Sequence, residues 1–453
     1  MDFDVIVVGG RPAGATLAAR LGQAGLRVAL LERDRFPAPH PASSPAIYAG
    51  TMAMLDEIGA DEARYAAGTP RITAWVIEAP GAFVNRTPIP AAFGRTYGYA
   101  IDRARFDAHL WDVAAASPGV TALPGFAVSD LLREGERVVG VRGRGPDGAI
   151  RELRADLVVG ADGRFSLVAR RAGAAERLKR NDHPTSLLYA YWSGAEAFDS
   201  HGPVIHTVVG KEPGAGYLLM DSADGSLAVV IEGRSDHMEP ASGESAEAFY
   251  LRRLRRIPAI WRRLDHARMA TPVRGMKRVG NFYRTAGGPG WALAGDALHQ
   301  KDPLDGQGIY DAVFTARALA TEVLAWKRGE APWADALRRY DRAVLTETMP
   351  MYFQTINSVR QMVYGGAIPA WSLHSLVRWI LTDPQLRRAN GRMIVRDLPA
   401  DEARPRWRDL IAAVWRGLQR DLARDLARAI QPTGQPAAST KATVASNDAS
   451  TRA

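Results

Sequence analysis

Cysteine is absent from the 453 residues. That excludes disulfides, thiolate-ligated metals, a thiol nucleophile and a redox-active dithiol, so any redox chemistry must come from a bound cofactor. Lysine is scarce: six of the 58 basic residues are lysine, the rest arginine, and the formal charge is +9. No lysine-rich tract and no interleaving of basic and aromatic residues accompanies this charge, so it does not point to nucleic acid. No apolar run approaches the ~20 residues that span a bilayer. The N-terminus has no basic n-region and no cleavage site, which points to a cytoplasmic chain. No internal repeat and no metal-ligand cluster is visible. Hydrophobic residues make up 47% and charged residues 24% of the chain, as in ordinary globular proteins, and the length suits two or three domains.

What is present begins at once. Val5-Ile6-Val7-Val8 is an apolar, β-branched run that suits a strand buried on both faces of a parallel sheet. Gly9-Gly10-Arg11-Pro12-Ala13-Gly14 follows, then an Ala- and Leu-rich helix to Ala24, then the strand Val28-Ala29-Leu30-Leu31 ending in Glu32 and Arg33. Gly9 makes the tight turn, Gly14 lets the helix pack closely, and the helix N-terminus attracts a pyrophosphate through its free N–H groups and dipole. Glu32, 23 residues after Gly9, can accept hydrogen bonds from ribose hydroxyls. In the usual Gly-x-Gly-x-x-Gly spacing the middle glycine lets phosphate approach the backbone. Here Arg11 stands in its place, and its side chain must either turn away or join the phosphate contact.

The segment Phe36 to Pro45 holds four prolines and reads as an extended loop that can gate the site. A helix follows over 47–59. Alternation predicts strands over 71–99, and Asp102 is a candidate N-cap for the next helix. Gly145-Pro146-Asp147-Gly148 signals a hairpin between residues 137–144 and 149–154. Leu157-Val158-Val159 is a strand ending in Gly160-Ala161-Asp162-Gly163. Strands are expected near 204–210, 216–221 and 226–232, with a helix near 245–256. Trp291 to Ala294 is a short buried strand running into Gly295-Asp296-Ala297 and on to Pro303 and Gly306-Gln307-Gly308-Ile309, where a helix starts and continues to about Lys327.

Residues 334–430 read as mostly helical, and 431–453 as a polar disordered tail. The last helix is amphipathic: Trp407, Leu410, Ile411, Val414, Trp415, Leu418, Leu422, Leu426 and Ile430 recur at three- and four-residue spacing, with Arg408, Arg416, Arg420, Arg424 and Arg428 on the other face. The plain expectation is that the apolar face packs on the protein's own body. Peripheral docking on a membrane surface or a partner is the alternative.

Taken in order, the three glycine–aspartate motifs resemble the FAD-dependent monooxygenases of the aromatic-hydroxylase type, with the para-hydroxybenzoate hydroxylase fold. Geranylgeranyl reductases and flavin-dependent halogenases share that fold. The resemblance covers residues 1 to about 330. It implies an α/β fold: a glutathione-reductase-like FAD-binding Rossmann domain with an inserted β-sheet substrate domain and C-terminal helices. Because the motifs lie at 9, 162 and 296, the FAD domain would be discontinuous, over 1–70, 100–180 and 281–330. The substrate domain would take 71–99 and 181–280, and a helical region 331–430.

By the same resemblance, Gly9, Gly10, Arg11, Pro12, Ala13 and Gly14 surround the FAD pyrophosphate, Glu32 holds the adenosine ribose and Arg33 lies on the adenosine side. Arg103 matches an arginine that reaches the phosphate–ribityl region. Asp162 and Gly163 match an aspartate–glycine motif linked to FAD and NAD(P)H. That motif usually continues Ser-x-Val-Arg, whereas here Ser166-Leu167-Val168 is followed by Ala169, and Arg170 comes one place late. Gly295 and Asp296 match the residues at the ribityl chain. Pro303, Gly306, Gln307, Gly308 and Ile309 match the turn beside the isoalloxazine ring, where the N-terminus of the following helix can stabilise negative charge on reduced flavin. His299, common just after this motif, reads as structural.

The implied activity is an FAD-dependent monooxygenase. NAD(P)H is the co-substrate and O2 the oxidant, and a flavin C4a-hydroperoxide hydroxylates or epoxidises an aromatic, polyketide-like or other small organic substrate. No second dinucleotide fingerprint is visible, as these enzymes have no separate nicotinamide domain. Tyr97, Tyr99, Trp192, His206, Tyr217 and Met220 are candidates to line the substrate pocket, with Tyr352 and Phe353 closing it from the helical side. Each is more often plain core, and no catalytic residue is assigned. An FAD-dependent reductase of C=C bonds is the first rival. A halogenase needs a lysine near the pocket, but no lysine precedes Lys179 and no Trp-x-Trp-x-Ile-Pro segment occurs. Arg11 alone favours a non-enzymatic flavin-binding module.

Overall fold

The computed structural model describes residues 2–39, 44–209, 212, 214–365 and 369–430. Residues 40–43 of the proline-rich loop and the 431–453 tail lie outside the described residues. The structure is a mixed α/β fold.

The first layer grows from the N-terminal unit. β1 (Phe3–Val8), α1 (Pro12–Gln23) and β2 (Val28–Glu32) follow one another, and β1 and β2 pair in parallel, Val5 against Val28. Val5, Ile6 and Val7 have no exposed surface. Burying each of these side chains contributes about 1.5–3 kcal/mol. After α2 (Ala49–Asp56), β3 (Ala74–Ala79) and β4 (Phe83–Pro88), the chain forms α3 (Arg103–Ala116), capped by the Asp102 carboxylate on the N–H groups of Ala104 and Arg105 at 2.8 and 3.0 Å. β5 (Val120–Pro124) joins the sheet beside β2. β6 (Ala127–Glu134), β7 (Arg137–Arg144) and β8 (Ile150–Gly160) form an antiparallel run, and β8 then pairs in parallel with β1. α4 (Leu167–Ala172) follows.

A second sheet is built from β9 (Thr185–Ser193), β10 (Val204–Val208), β11 (Ala215–Asp221) and β12 (Ser226–Arg234). Its order is β9-β12-β11-β10-β3-β4, so 74–88 and 185–234 share one sheet through a parallel pairing of β10 with β3. One face is covered by α5 (Ala246–Arg255) and α6 (Pro258–Leu264). The chain then returns to the first sheet as β13 (Trp291–Leu293), parallel to β8, and leaves it in α7 (Gly308–Lys327). α8 (Trp333–Ser358) packs on α7, and α9 (Leu376–Leu381), α10 (Pro384–Ile394) and α11 (Trp407–Ile430) complete the described residues. No helix among them is long and apolar enough to cross a membrane.

Candidate functional site

The parallel sheet brings the ends of β1, β8 and β13 side by side, and with them the three motifs. The contacts are backbone-close. A Cβ on Gly9 would lie 2.4 Å from the carbonyl oxygen of Ala161, and Gly9 has φ +105°. A Cβ on Gly14 would lie 1.7 Å from Gly9 O. A Cβ on Gly295 would lie 2.9 Å from Ala13 Cβ. Three stretches separated by more than a hundred residues therefore meet at the N-terminus of α1, where Pro12 occupies the first turn and no side chain caps the helix.

Glu32 closes one side of this turn. Its Oε2 accepts the Gly10 N–H at 2.8 Å and its Oε1 the Asp34 N–H at 3.1 Å. Arg33 beside it is exposed. Arg11 turns its side chain away from the turn. One guanidinium nitrogen bonds Asp107 at 2.7 Å, the other Asp34 at 3.1 Å and the Pro39 carbonyl at 2.9 Å, and the group lies over Phe36. Arg103 holds the same Asp107 carboxylate through three bonds of 3.0–3.1 Å. Asp107 has no exposed surface, so two arginines share one buried acid and tie α3 to the start of α1 and to the proline-rich loop.

Asp162 is engaged locally: it accepts Ser166 Oγ at 2.5 Å and the N–H groups of Leu167 and Val168 at 2.6 and 3.2 Å. Burial pushes its carboxyl up, and these three donors oppose the shift. Asp296 differs. It is half-buried and has no hydrogen-bond partner among the described residues. Burial pushes its carboxyl up too, against the pull of Arg164, His299 and Lys301. A carboxylate held without an internal donor suits a ligand that offers hydroxyl groups.

From Asp302 the chain turns through Pro303 and Gly306, at φ +67°, into α7, whose first residue Gly308 is exposed. No side chain caps this helix either. Gln307 spends its amide elsewhere, donating to Ile394 O at 3.1 Å and accepting from Arg396 Nε at 3.0 Å, while Ile309 is buried.

The FAD binding domain family model matches residues 2–347. The chain belongs to that family. It is 30% identical over 333 residues to digeranylgeranylglycerophospholipid reductase 2 of Methanopyrus kandleri, covering 72% of this chain and 77% of that protein. It is 36% identical to 6-methylpretetramide 4-monooxygenase of Streptomyces rimosus, over 176 residues that make up 38% of this chain and 40% of that one. The solved structure of the myxobacterial chondrochloren halogenase CndH superimposes with a TM-score of 0.69 at 25% identity, covering 91% of this chain and 97% of that chain. The chain is thus similar to a reductase, a monooxygenase and a halogenase, and that similarity does not by itself choose the reaction.

Beside His299, several members of the site carried no sequence signal. Lys301 is buried, with its ammonium on Asp311 and 3.4 Å from Asp305. Burial works against ionisation of Asp311, but Lys301, His299 and Arg396 together hold its carboxyl below the usual range. His299 stacks on Tyr283 with ring centroids 4.2 Å apart, and its Nε2 lies 3.4 Å from Asp311. Arg396 reaches in from beyond α10. It bonds Asp311 at 3.2 Å, covers the Tyr310 ring and sits at φ +64°, a strained conformation for a non-glycine residue.

The second sheet turns its other face to this region. Trp75 Nε1 donates to Tyr48 OH at 3.2 Å, and Tyr48, Ile205, Met220 and Ala228 form one apolar cluster with Trp75, Leu218 and Val230 against it. Burial pushes the Tyr48 phenol up to about 12, so it stays protonated at neutral pH. Of the expected pocket residues, Met220 lies on this face. Trp192 and Tyr217 lie on the opposite face among the α5 and α6 side chains, and His206 faces Glu78 at 3.0 Å and Phe198, also on that side. The expectation fails for these three because the sheet is covered on both faces, and alternation alone does not say which face looks to the site. Tyr97 and Tyr99 both donate to Glu62, at 2.7 and 2.9 Å. Tyr352 is buried with its hydroxyl on Leu178 O at 2.6 Å, and Phe353 is exposed.

Glu232 projects from β12 at the edge of this face toward Asp302, whose carboxylate also accepts from Thr185 and from the Leu304 N–H at 3.0 Å. Burial first, then the charge of Asp302 and a hydrogen bond shared with it, then Asp305, push the Glu232 carboxyl well above the usual range. The folded state therefore keeps a proton here that the unfolded chain releases. Stability falls as pH rises from the ordinary glutamate value toward the raised one, by about 1.4 kcal/mol per pH unit at most. Glu232→Gln is expected to remove this component of the slope, while its side-chain amide N–H still donates to Asp302. Urea midpoints measured across that pH window check it, and parallel wild-type and variant curves would contradict it.

Proposed function

We propose that the chain is an FAD-dependent monooxygenase acting on an apolar, aromatic or polyketide-like small substrate, with NAD(P)H as reductant. The carrying observation is the meeting of the three motifs at the α1 N-terminus. The residues there fit FAD: a turn closed to side chains at Gly9 and Gly14 for the pyrophosphate, Glu32 for the adenosine ribose, the unpartnered Asp296 for the ribityl hydroxyls, and the uncapped α7 N-terminus for the pyrimidine edge of the flavin. Arg11 and Arg103 act through Asp107 as braces of that cradle. When bound, FAD supplies two-electron reduction by NAD(P)H and activation of O2, one oxygen atom passing to substrate and the other leaving as water.

The chain's own part is to bind, orient and dry. The Trp75, Ile205, Met220 and Val230 face presents an apolar wall that excludes water, and the protonated Tyr48 can donate a hydrogen bond to a substrate oxygen. A reductase of C=C bonds is the second reading, favoured by Glu232, whose carboxyl is pushed well above the usual range by burial and Asp302, an acid of the kind that reduction of a double bond requires. The length of the match to the Methanopyrus reductase also supports it. The halogenase reading is disfavoured, since the ammonium of Lys301 is committed to Asp311 and Asp305.

The test is to supply the FAD-loaded protein with NADPH and a panel of phenolic, polyketide-like and prenyl compounds under labelled O2. Incorporation of one labelled oxygen into a phenolic or polyketide-like compound is expected. Product formation without oxygen, with saturation of a prenyl double bond, would replace the first reading with the second.

A further inference from the structure

The helix Trp407–Ile430 packs through only one edge of its apolar stripe. The sequence pattern predicts that the whole stripe covers the protein body, but only Leu410, Val414 and Leu418 are half-buried, and small and charged residues beside them make the closest contacts. Ala413 has no exposed surface, and Gly417 lies so close to Trp379 that a Cβ would fall 2.2 Å from it. Arg416 bonds both oxygens of the buried Asp383 at 2.8 and 2.9 Å, and Asp421 accepts from Trp379 Nε1 at 2.7 Å. Small residues and specific ion pairs let α11 approach α9 and α10 closely, and that leaves the other edge of the stripe facing outward. Trp407 is 82% exposed, Ile411 68%, Trp415 60%, Leu422 54% and Leu426 62%. At about 100° per residue these five positions fall on one side of the helix. Single exposed apolar residues need no explanation, but a continuous row over five turns does.

We propose that this stripe docks the protein flat on an anionic membrane surface. The helix has 24 residues and carries charges throughout, so it suits the interface rather than a span. Tryptophan, with an apolar body and a polar N–H, suits the boundary between headgroups and acyl chains, and Trp371 nearby in the sequence is 68% exposed as well. Charge decides between a bilayer and a second copy of the chain. From Arg378 to Arg428 the sequence holds twelve arginines, no lysine and seven acidic residues. Arg404, Arg406 and Arg408 are exposed at the N-terminal end of the stripe. Anionic headgroups complement this excess, whereas a second copy brings the same excess to the contact. The docking stands apart from the reaction proposed above.

The experiment is flotation of the full-length, FAD-loaded protein with phosphatidylcholine–phosphatidylglycerol vesicles and with phosphatidylcholine vesicles, at low and high salt, beside light scattering of the protein alone. Binding to the anionic vesicles is expected, weaker at high salt and weaker on the neutral ones. Trp415→Glu combined with Leu422→Glu should reduce it about tenfold or more, with flavin content and oligomeric state unchanged. Arg406→Glu combined with Arg408→Glu should remove mainly the preference for anionic lipid. Failure of the folded wild type to bind anionic vesicles overturns the proposal. So does a dimer that the Trp415/Leu422 variant converts to monomer, which would assign the stripe to a second copy.

Discussion

Gly14→Ala is expected to yield a protein that purifies without flavin and melts well below the wild type. The added methyl would sit 1.7 Å from the Gly9 carbonyl oxygen and 2.9 Å from its carbon, both backbone atoms with no rotamer to escape into. Gly9 cannot give way, because Ala161 and Asp162 press on its other side at 2.4 to 3.0 Å from any side chain there. α1 must therefore lift off β1 by more than an ångström, which widens the turn that faces the pyrophosphate. Overpacking of this kind costs about 1–3 kcal/mol or more, and the preorganised anion site is lost with it. Gly25→Ala is the matched control. It has φ +89° but nothing within 4 Å, so it should cost about 1 kcal/mol and leave flavin content intact. The ratio of flavin to protein absorbance and the melting temperature check both. Retention of full flavin by Gly14→Ala would contradict the close packing of the turn.

Asp107→Ala is expected to destabilise the fold by about 3–5 kcal/mol, the usual consequence of removing one partner from a buried ion pair. Arg103 and Arg11 keep only 5% and 18% of their side chains exposed, and both are aimed at the same carboxylate. Asp34 and the Pro39 carbonyl still hold Arg11 in the variant, which puts the value toward the lower end. Asp107→Asn keeps the shape but not the charge and should fall between. Urea unfolding measures both, and a loss under about 1 kcal/mol for the alanine variant would show that the arginines relax to other partners.

Much of the cradle was legible because its signals are local. The β1–α1–β2 unit follows from an apolar run, two glycines and a terminal acid, and α7 begins at Gly308, where the Gly306 turn places it. Arg11 looked like a defect in the fingerprint, and the structure gives it a use: Asp107, ninety-six residues away, receives it. That pairing has no local trace, since nothing in the α3 stretch itself points to a partner in the α1 turn. Arg396 and Glu232 were silent for the same reason. Each is brought to the site by long-range contacts from an element whose own pattern says only strand or helix end. The stripe of α11 was legible as a period, but a period tells which residues share a face and not what covers that face.

The most direct measurement is isothermal titration of the flavin-stripped protein with FAD. One FAD per chain is expected, with a Kd in the micromolar range or tighter, and binding should be at least tenfold weaker for Asp296→Ala, in which the carboxylate without an internal partner is removed. A folded apoprotein that takes up no FAD, or a Gly14→Ala variant that binds it as well as the wild type, would contradict the placement of the cofactor where the three motifs meet.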